Sequence, residues 1–277
     1  MKVQILLSTM KKNNDDINKL IKDMNIRNDC LVINQCNKEE RFESVINNNK
    51  ITVINSSGIG LSKSRNLAIK SSTSDICIIA DDDLKYVNDL KDIVIREFNK
   101  NNGYDILVFK VYGRNKEFKT YINKEKKINY LSSMKISSVQ IALKKKEIID
   151  KNIYFNELLG AGAKYSMGEE NEFLFKCLRE GIKIKYIPIK IADLYIGESS
   201  WFNGYDRKYF IDRGASFAAM SKIFSDILII QFALRKRNIY KDKFSILEAI
   251  RIMFLGKKRY LYDCKNYEEI KLEKKML

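Results

Sequence analysis

Residues 55–86 of the chain read NSSGIGLSKSRNLAIKSSTSDICIIADDDLKY. The pattern predicts a loop with two glycines, a helix over about 62–71, and a short strand over 76–80. A continuous apolar run of this length is typical of a strand that is buried on both faces in a parallel sheet. The run stops at Asp81, so three consecutive carboxylates follow the strand at its carboxyl end, which is the edge where ligands bind in open α/β sheets.

The acidic triplet Asp81, Asp82 and Asp83 is the first candidate site. Three carboxylates on one tight turn repel one another unless a cation or hydrogen-bond donors neutralise them. Aspartate runs also act as helix caps and solvated turns, so the triplet by itself is a weak signal. Its position after a buried strand and a glycine loop favours a divalent metal ion held on a phosphorylated substrate. Alternation along an extended turn would point Asp81 and Asp83 to one side and Asp82 to the other.

The rest of the N-terminal part alternates strands with helices, which predicts a parallel sheet flanked by helices. The strands at 3–7, 31–33 and 51–54 are each followed by small polar residues, among them Ser8, Thr9 and Asn34. With the strand at 76–80, which is followed by Asp81, four strands end in polar residues, and together they predict a ligand-binding edge of the sheet. Further strands are expected at 105–111, 139–143, 182–187 and 189–195, helices at 15–25, 87–99, 144–151 and 169–181, and a turn or short helix at 39–47.

Composition limits the possible chemistry. The 277 residues include 51 Lys and Arg against 35 Asp and Glu, a formal charge of +16, and no histidine. The positive charge suggests a polyanionic partner, such as nucleic acid, an anionic membrane or nucleotide-linked substrates, although a bias towards lysine would give the same value. Without histidine there is no Ser-His or Cys-His nucleophile, no His metal ligand and no His base. The acidic clusters must therefore carry any acid–base work.

A second acidic pair, Glu169-Glu170, follows a loop that contains Gly160, Gly162 and Gly168. The pair opens a predicted amphipathic helix. Acidic residues in a first helical turn are favoured by the helix dipole, and this structural explanation is sufficient for the pair taken alone.

Taken together, these motifs resemble glycosyltransferase family 2, whose members have the GT-A fold. The resemblance rests on residues 58–66 (GIGLSKSRN), on residues 75–83 (DICIIADDD), and on the acidic pair at 169–170, and it covers about 1–190. In that family a Gly-x-x-x-aRN segment precedes a strand that ends in a DxD-type motif. An ED-type pair follows a glycine-rich loop, and its second acid is the proposed base. Glu169-Glu170 departs conservatively from that pair.

The resemblance implies an α/β fold with a Rossmann-like, mostly parallel sheet, and a site on its carboxyl edge. Asp83 is the aspartate most expected to bind the metal, and Asp81 would assist it or hold the ribose. The metal would be Mn²⁺ or Mg²⁺. Glu170 is the expected base, with Glu169 beside it. The nucleotide-sugar would contact Ser8, Thr9, Asn34, Arg65, Asp81 and Asp82. The alternative interpretation of Arg65 is an arginine exposed on the surface without a role in binding.

Family members often take a further metal ligand, commonly His, from the downstream region. The alternatives here are Glu198 or Asp206 as that ligand, or phosphate and water in its place. The lone tryptophan, Trp201, would stack on a sugar or pack on the core. The stretch from Phe217 to Leu234 is predicted to be helical, and basic clusters follow it. The pattern changes near residue 214, which predicts a catalytic domain over 1–213 and a basic helical extension over 214–277 that either contacts anionic lipid or packs on the core.

The function expected from these features is the metal-dependent, inverting transfer of a hexose from a nucleotide-diphosphate sugar to a hydroxyl group. Bacterial members of the family often build surface glycans, so the acceptor is expected to be a glycan or a lipid-linked saccharide. A metal-dependent nucleotidyltransferase is the alternative, followed by a non-enzymatic nucleic-acid binder, although acids at the binding edge would repel phosphate. With no signal peptide and no apolar run of spanning length, the expected location is the cytoplasm, with possible peripheral contact at the inner membrane face.

Overall fold

The computed structural model describes residues 1–197 and 204–276, with side chains described as far as residue 266. Its strands, in chain order, are β1 (Val3–Met10), β2 (Asp29–Gln35), β3 (Glu40–Ile46), β4 (Asn49–Ser56), β5 (Ile76–Asp81), β6 (Leu84–Tyr86), β7 (Ile106–Gly113), β8 (Lys126–Lys127), β9 (Ile141–Lys144) and β10 (Ile184–Leu194). Its α-helices are α1 (Asn14–Asp23), α2 (Leu61–Ser71), α3 (Leu90–Lys100), α4 (Tyr130–Ser133), α5 (Lys145–Asp150), α6 (Glu169–Arg179), α7 (Arg207–Met220), α8 (Ser225–Arg235) and α9 (Ile246–Met276).

The strands of the described residues form one ten-stranded sheet in the order β3-β4-β2-β1-β5-β9-β7-β10-β6, with β8 paired to β10. The run from β4 to β5 is parallel. Strand β9 is antiparallel to both β5 and β7, so the parallel arrangement is interrupted there. The prediction of an α/β fold with a central sheet flanked by helices is confirmed. The parallel register places the ends of β1, β2, β4 and β5 on one edge, since Ser8 pairs with Asp81 and Thr9 with Asn34.

Apolar side chains of these strands form a core cluster on each face of the sheet. Along β5, Ile76 and Ile78 belong to one cluster and Cys77 and Ile79 to the other. Both faces of this strand are therefore buried, as its continuous apolar run predicts.

Two sequence predictions about strands are wrong. Residues 39–47 form no turn or helix; they contain β3, which pairs antiparallel with β4 and has alternating half-buried and exposed side chains. Its charged outward residues suit an edge strand and hide the strand pattern. The two strands expected at 182–187 and 189–195 are one strand, β10, with Pro188 inside it. The pairing of β10 with β7 shifts register between Tyr186 and Lys190, so the ladder tolerates a residue that has no N–H group.

The stretch 217–234 is helical as predicted, but it is not one helix. α7 ends where Ser221 takes an extended conformation, and the Ser221 hydroxyl accepts a hydrogen bond from the Phe224 amide at 3.1 Å before α8 begins. α7 itself starts at Arg207, so the change of pattern near residue 214 lies within a helix. The division into 1–213 and 214–277 stays a prediction. In the described part of the chain, no helix combines the length and the apolar character needed to cross a membrane.

Candidate active site

The acidic triplet forms the turn between β5 and β6, at the carboxyl edge of the sheet. Asp81 is the last residue of β5 and is half-buried, whereas Asp82 and Asp83 are exposed. The Thr9 hydroxyl donates a hydrogen bond to Asp82 Oδ2 at 2.7 Å, which ties the turn to the end of β1. The carbonyl oxygen of Asp83 accepts a hydrogen bond from the Tyr195 amide at 2.9 Å. The triplet is therefore held in place by its neighbours on both sides.

Arg65 joins the two acidic motifs. Its Nη2 atom lies 2.9 Å from Asp81 Oδ1, and its Nη1 atom lies 3.0 Å from Glu169 Oε1. Nη2 also donates to the Ser138 hydroxyl at 2.8 Å. The arginine is 3% exposed, which excludes its display on the surface. Burial by itself would lower the pKa of the Arg65 guanidinium, but the carboxylates of Asp81 and Glu169 reverse this, and its pKa is raised.

The neighbouring residue of the motif, Asn66, fixes the segment that leads to the glutamate pair. Its Nδ2 donates to the Phe155 carbonyl at 2.9 Å, and its Oδ1 accepts from the Phe155 amide at 2.8 Å. Further along, Gly160 has a φ of +99°, and a Cβ atom there would lie 3.1 Å from the Glu169 side chain. Glycine is therefore required at 160 both for its backbone conformation and for the close approach of Glu169.

The two glutamates of the pair have different environments. Glu169 is buried and bonded to Arg65, whereas Glu170 is half-buried and faces a cleft of about 1160 Å³. Loss of hydration, followed by the charge of Glu169, raises the pKa of Glu170 to about 8. Lys119 lines the same cleft; burial lowers its pKa to about 8, and attraction to Glu170 opposes that change. Glu170 is thus the member of the pair that can exchange a proton near neutral pH.

Asp83 is the metal ligand predicted first from the sequence, and this role stays a prediction. Loss of hydration, and then repulsion from Asp81 and Asp82, raise the pKa of Asp83 to about 6, and a cation at this turn would relieve the part due to repulsion. Asp81 would have to share its oxygen atoms with Arg65. Within 1–197 and 204–276, no group of three or more Asp, Glu or Cys residues is arranged to hold a metal ion. The oxygen donors fit Mg²⁺ or Mn²⁺ provided that phosphate oxygens and water supply the other ligands.

The other predicted contacts also lie at this edge, and their side chains have partners within the protein. Ser8 accepts a hydrogen bond from the Ser64 hydroxyl at 3.0 Å. Asn34 Nδ2 donates to Asn55 Oδ1 at 2.7 Å, and this side chain is 1% exposed. Asp206, considered above as a metal ligand, caps α7 by accepting from the Tyr209 amide at 2.7 Å. Glu198 and Trp201 lie outside the described residues. The contacts of Ser8, Thr9 and Asn34 with a nucleotide stay predictions.

Sequence reasoning missed three residues of the site region: Ser138, Lys119 and Arg213. Ser138 bonds to Arg65, while Lys119 and Arg213 line the cleft beside Glu170. Lys119 belongs to a lysine-rich segment without periodicity, so no local signal distinguishes it from its neighbours. Arg213 lies on α7, and the sequence of α7 does not indicate that this helix packs beside Glu170.

Comparison with known proteins shows the family of the chain. The profile described as Glycosyl transferase family 2 matches residues 15–160, which is more than half of the chain. The chain belongs to this family and is a glycosyltransferase with the GT-A fold. No protein of curated function matches the sequence.

The solved structures that resemble this one include Staphylococcus aureus TarS, residues 1–349. The TarS complex with UDP-GlcNAc has a TM-score of 0.63 and 15% sequence identity over 92% of this chain and 84% of that chain. The complex with UDP has a TM-score of 0.60 and 16% identity over 90% of this chain and 77% of that chain. At this identity the likeness shows the fold.

We predict that Arg65→Met destabilises the protein by about 3–5 kcal/mol, because two carboxylates would then lose their shared buried cation. The free energy of unfolding in urea at neutral pH measures the loss. Arg41→Met is the matched control, because the Arg41–Glu43 pair is 3.6 Å long and exposed on both sides, and its loss should cost less than about 1 kcal/mol. Equal losses for the two variants would contradict the role of Arg65.

Proposed function

We propose that the chain transfers a hexose from a nucleoside-diphosphate sugar to a hydroxyl group of a glycan or lipid-linked acceptor, with inversion at the anomeric carbon. The main support is the bridge from Asp81 through Arg65 to Glu169, which holds the acidic triplet and the glutamate pair at one edge of the sheet. The similar structure of TarS was solved with UDP-GlcNAc, which makes a UDP-sugar the first donor to test.

In the proposed reaction, Glu170 accepts the proton of the acceptor hydroxyl. The hydroxyl oxygen forms a bond to the anomeric carbon on the face opposite the diphosphate. The bond from that carbon to the diphosphate oxygen breaks, and its electron pair leaves with the nucleoside diphosphate. Arg65 keeps Glu169 in place and so leaves Glu170 as the group that faces the acceptor.

The cation of the proposed reaction would be held by Asp83, with Asp81 beside it. Bound Mg²⁺ or Mn²⁺ would neutralise charge that develops on the leaving diphosphate. The turn itself contributes position, because Thr9 fixes Asp82 and Tyr195 fixes the backbone of Asp83.

The two alternatives differ from this proposal in measurable ways. A nucleotidyltransferase would release pyrophosphate from a nucleoside triphosphate, whereas the proposed reaction releases a nucleoside diphosphate. A nucleic-acid binder would show steep salt dependence. Membership of Glycosyl transferase family 2 favours the sugar transfer.

The separate roles of the triplet and the pair give a direct test. Asp83→Asn should lower kcat/KM at least about 100-fold and weaken Mn²⁺-dependent binding of UDP-GlcNAc or whichever UDP- or GDP-sugar shifts the melting temperature. Glu170→Gln should lower kcat about 100-fold to 10,000-fold and leave donor binding unchanged. Asp92→Asn and Glu180→Gln, both exposed, are the controls. Full activity in both Asp83→Asn and Glu170→Gln would refute the proposal.

The raised pKa of Glu170 predicts a pH profile. A base must be deprotonated, so log kcat/KM should rise with pH up to about 8 and then level off. Lys119→Met removes a positive charge that stabilises the Glu170 carboxylate, so the midpoint of the profile should move to higher pH by up to about one unit. Lys116→Met, an exposed neighbour, should leave the midpoint unchanged. A flat profile between pH 6 and pH 8 would contradict the assignment of Glu170.

We also propose that the C-terminal helices contact an anionic membrane surface at the inner face of the membrane. Large apolar side chains at and along α8 are exposed: Ile223 (82%), Phe224 (60%), Ile227 (63%), Ile230 (44%) and Leu234 (59%). Their spacing of three to four residues puts most of them on one side of the helix. The exposed cations Lys222, Arg235 and Lys236 lie at its ends, so the surface combines apolar area with charge that complements anionic lipid.

Flotation with vesicles tests this contact. The protein should float with vesicles that contain phosphatidylglycerol and not with phosphatidylcholine alone, and high salt should weaken the binding. Ile227→Ser combined with Leu234→Ser should reduce flotation about tenfold, since each change removes apolar area. Val45→Ser, at a residue that is 75% exposed on β3, is the control. Unchanged flotation of the double variant would refute the membrane contact and leave the catalytic proposal intact.

A further inference from the structure

The cleft beside Glu170 is strongly basic. It extends from the end of β7 and the lysine-rich segment that follows it to α7 and α8. Among the described residues that line it, Glu170 is the one carboxylate. The same lining carries six cationic side chains: Lys119, Lys126, Lys135, Arg213, Arg235 and Lys236.

These six cations have few negative neighbours within the described part of the chain, and attraction to Glu170 is resolved for Lys119. None of them forms a salt bridge there. Lys119 Nζ donates to three uncharged oxygens, those of the Lys135 carbonyl, the Ser137 hydroxyl and the Gln140 amide, at 2.7, 2.7 and 2.8 Å. Unpaired like charges around one cleft repel one another, so the arrangement disfavours folding unless the cleft binds something negative.

Arg213 lies among several aromatic rings. Its guanidinium carbon lies 5.3 Å from the ring centroids of both Tyr209 and Phe232, and its Nη2 donates to the Tyr209 hydroxyl at 3.0 Å. Its Nε is buried and has no hydrogen-bond partner among the described residues. The stacked rings fix the plane of the guanidinium, which can then present its remaining N–H groups to an oxyanion.

α7 is fixed against the start of the helix that carries Glu170. The Asp212 carboxylate accepts hydrogen bonds from the Ser166 amide at 3.0 Å and from the Ser166 hydroxyl at 2.6 Å. A Cβ atom at Gly168 would lie 1.9 Å from the Ser216 hydroxyl oxygen. Arg213 lies between these two contacts in the sequence of α7, so the packing that places it also places the N-terminus of α6.

Aromatic rings complete the lining. Tyr121 and Tyr186 are stacked, with their centroids 6.4 Å apart and an angle of 1° between their planes, and Tyr205 and Tyr209 meet edge to face at 5.0 Å. Aromatic rings of this kind pack well against the C–H groups of a saccharide. Both components of the cleft therefore match a ligand that is part carbohydrate and part anion.

We propose that this cleft is the acceptor site and that the acceptor is a saccharide or polyol that carries oxyanions, either phosphodiester or carboxylate groups. Arg213 contacts one oxyanion, and the cations of α8 contact others along the chain of the acceptor. The acceptor part of this inference rests on the proposed function, because it takes Glu170 as the base that receives the proton of the acceptor hydroxyl.

The test is calorimetry on the full chain with three probes of equal length: a glycerol phosphate oligomer, an oligogalacturonate and a neutral maltooligosaccharide. Preferential binding of one or both anionic probes over the neutral probe, by about tenfold or more, supports the proposal, and the two anionic arms separate phosphate from carboxylate. Equal affinity for all three probes, or binding of none of them, would overturn it.

Variants locate the binding. Arg213→Gln should weaken the anionic probes about tenfold and leave the neutral probe unchanged, while Arg213→Lys should lose less. Arg235→Gln with Lys236→Gln, two exposed residues at the rim, should also weaken the anionic probes and does not disturb the core. Arg251→Gln, exposed on α9 and outside the cleft, is the matched control. Unchanged anion binding in both rim and Arg213 variants would refute the site.

Donor binding is measured on the same samples as the shift in melting temperature caused by UDP-GlcNAc and Mn²⁺. Donor binding without a preference for anionic probes would overturn the acceptor class and leave the proposed transferase function. A preference for anionic probes that Arg213→Gln abolishes, with no binding of any UDP- or GDP-sugar, would contradict the proposed function and support the cleft as an oxyanion site.

Discussion

The guanidinium of Arg65 connects two acidic motifs that are far apart in the sequence, and Arg65 and Glu169 themselves lie 104 positions apart. A buried arginine that is bonded to two carboxylates carries a large desolvation cost, and each partner that is lost leaves an uncompensated charge. The positions of the β5–β6 turn and of the start of α6 are therefore not independent. Any loop movement that separates them must break an ion pair of the buried Arg65, so the acidic triplet and the glutamate pair are held together as one unit.

The ion pair with Arg65 also gives the two neighbouring glutamates, Glu169 and Glu170, different environments. Glu169 is bonded to Arg65 and adds negative charge next to Glu170, and the Arg65 guanidinium offsets only part of that charge. Glu170 is left with poor hydration and a like charge beside it, which together favour its protonated form. Lys119 opposes this effect across the cleft. The affinity of Glu170 for a proton is thus set by its loss of hydration and by the opposing charges of Glu169, Arg65 and Lys119, which together bring its pKa to about 8.

Elements with a strong hydrophobic pattern can be predicted from the sequence. Elements whose conformation depends on contacts with other parts of the fold cannot. The strand at 76–80 and the helix at 62–71 can be predicted, because a continuous apolar run and a helical pattern are visible in the residues themselves. The edge strand β3 looks like a polar turn because one of its sides faces water. Pro188 looks like a break because its tolerance depends on a register shift in the pairing with β7. Such compensation by a neighbouring strand leaves no trace in the local sequence.

The same distinction applies to the site. Arg65, the triplet and the glutamate pair can be selected from their order along the chain. The ion pairs of Arg65 with Asp81 and Glu169 cannot, since they depend on how the fold brings α2, the end of β5 and the start of α6 together. The position of Asn34 at a strand end predicts a contact with the nucleotide, and in the structure its side chain donates a hydrogen bond to Asn55 on the neighbouring strand β4. Polarity at a strand end thus identifies the edge correctly without telling a ligand contact from an internal hydrogen bond.

The two faces of α8 relate the membrane proposal to the acceptor proposal. Phe232 and Arg235 line the cleft beside Glu170, whereas Ile227, Ile230 and Leu234 are exposed to solvent. A helix turns by about 100° per residue, so residues one to three positions apart can serve different surfaces. If the exposed side rests on an anionic membrane, the rim of the cleft is brought to the lipid surface. A lipid-linked acceptor would then enter the cleft from that rim while its lipid stays in the bilayer, and its anionic groups would pass the same cations that attract the membrane.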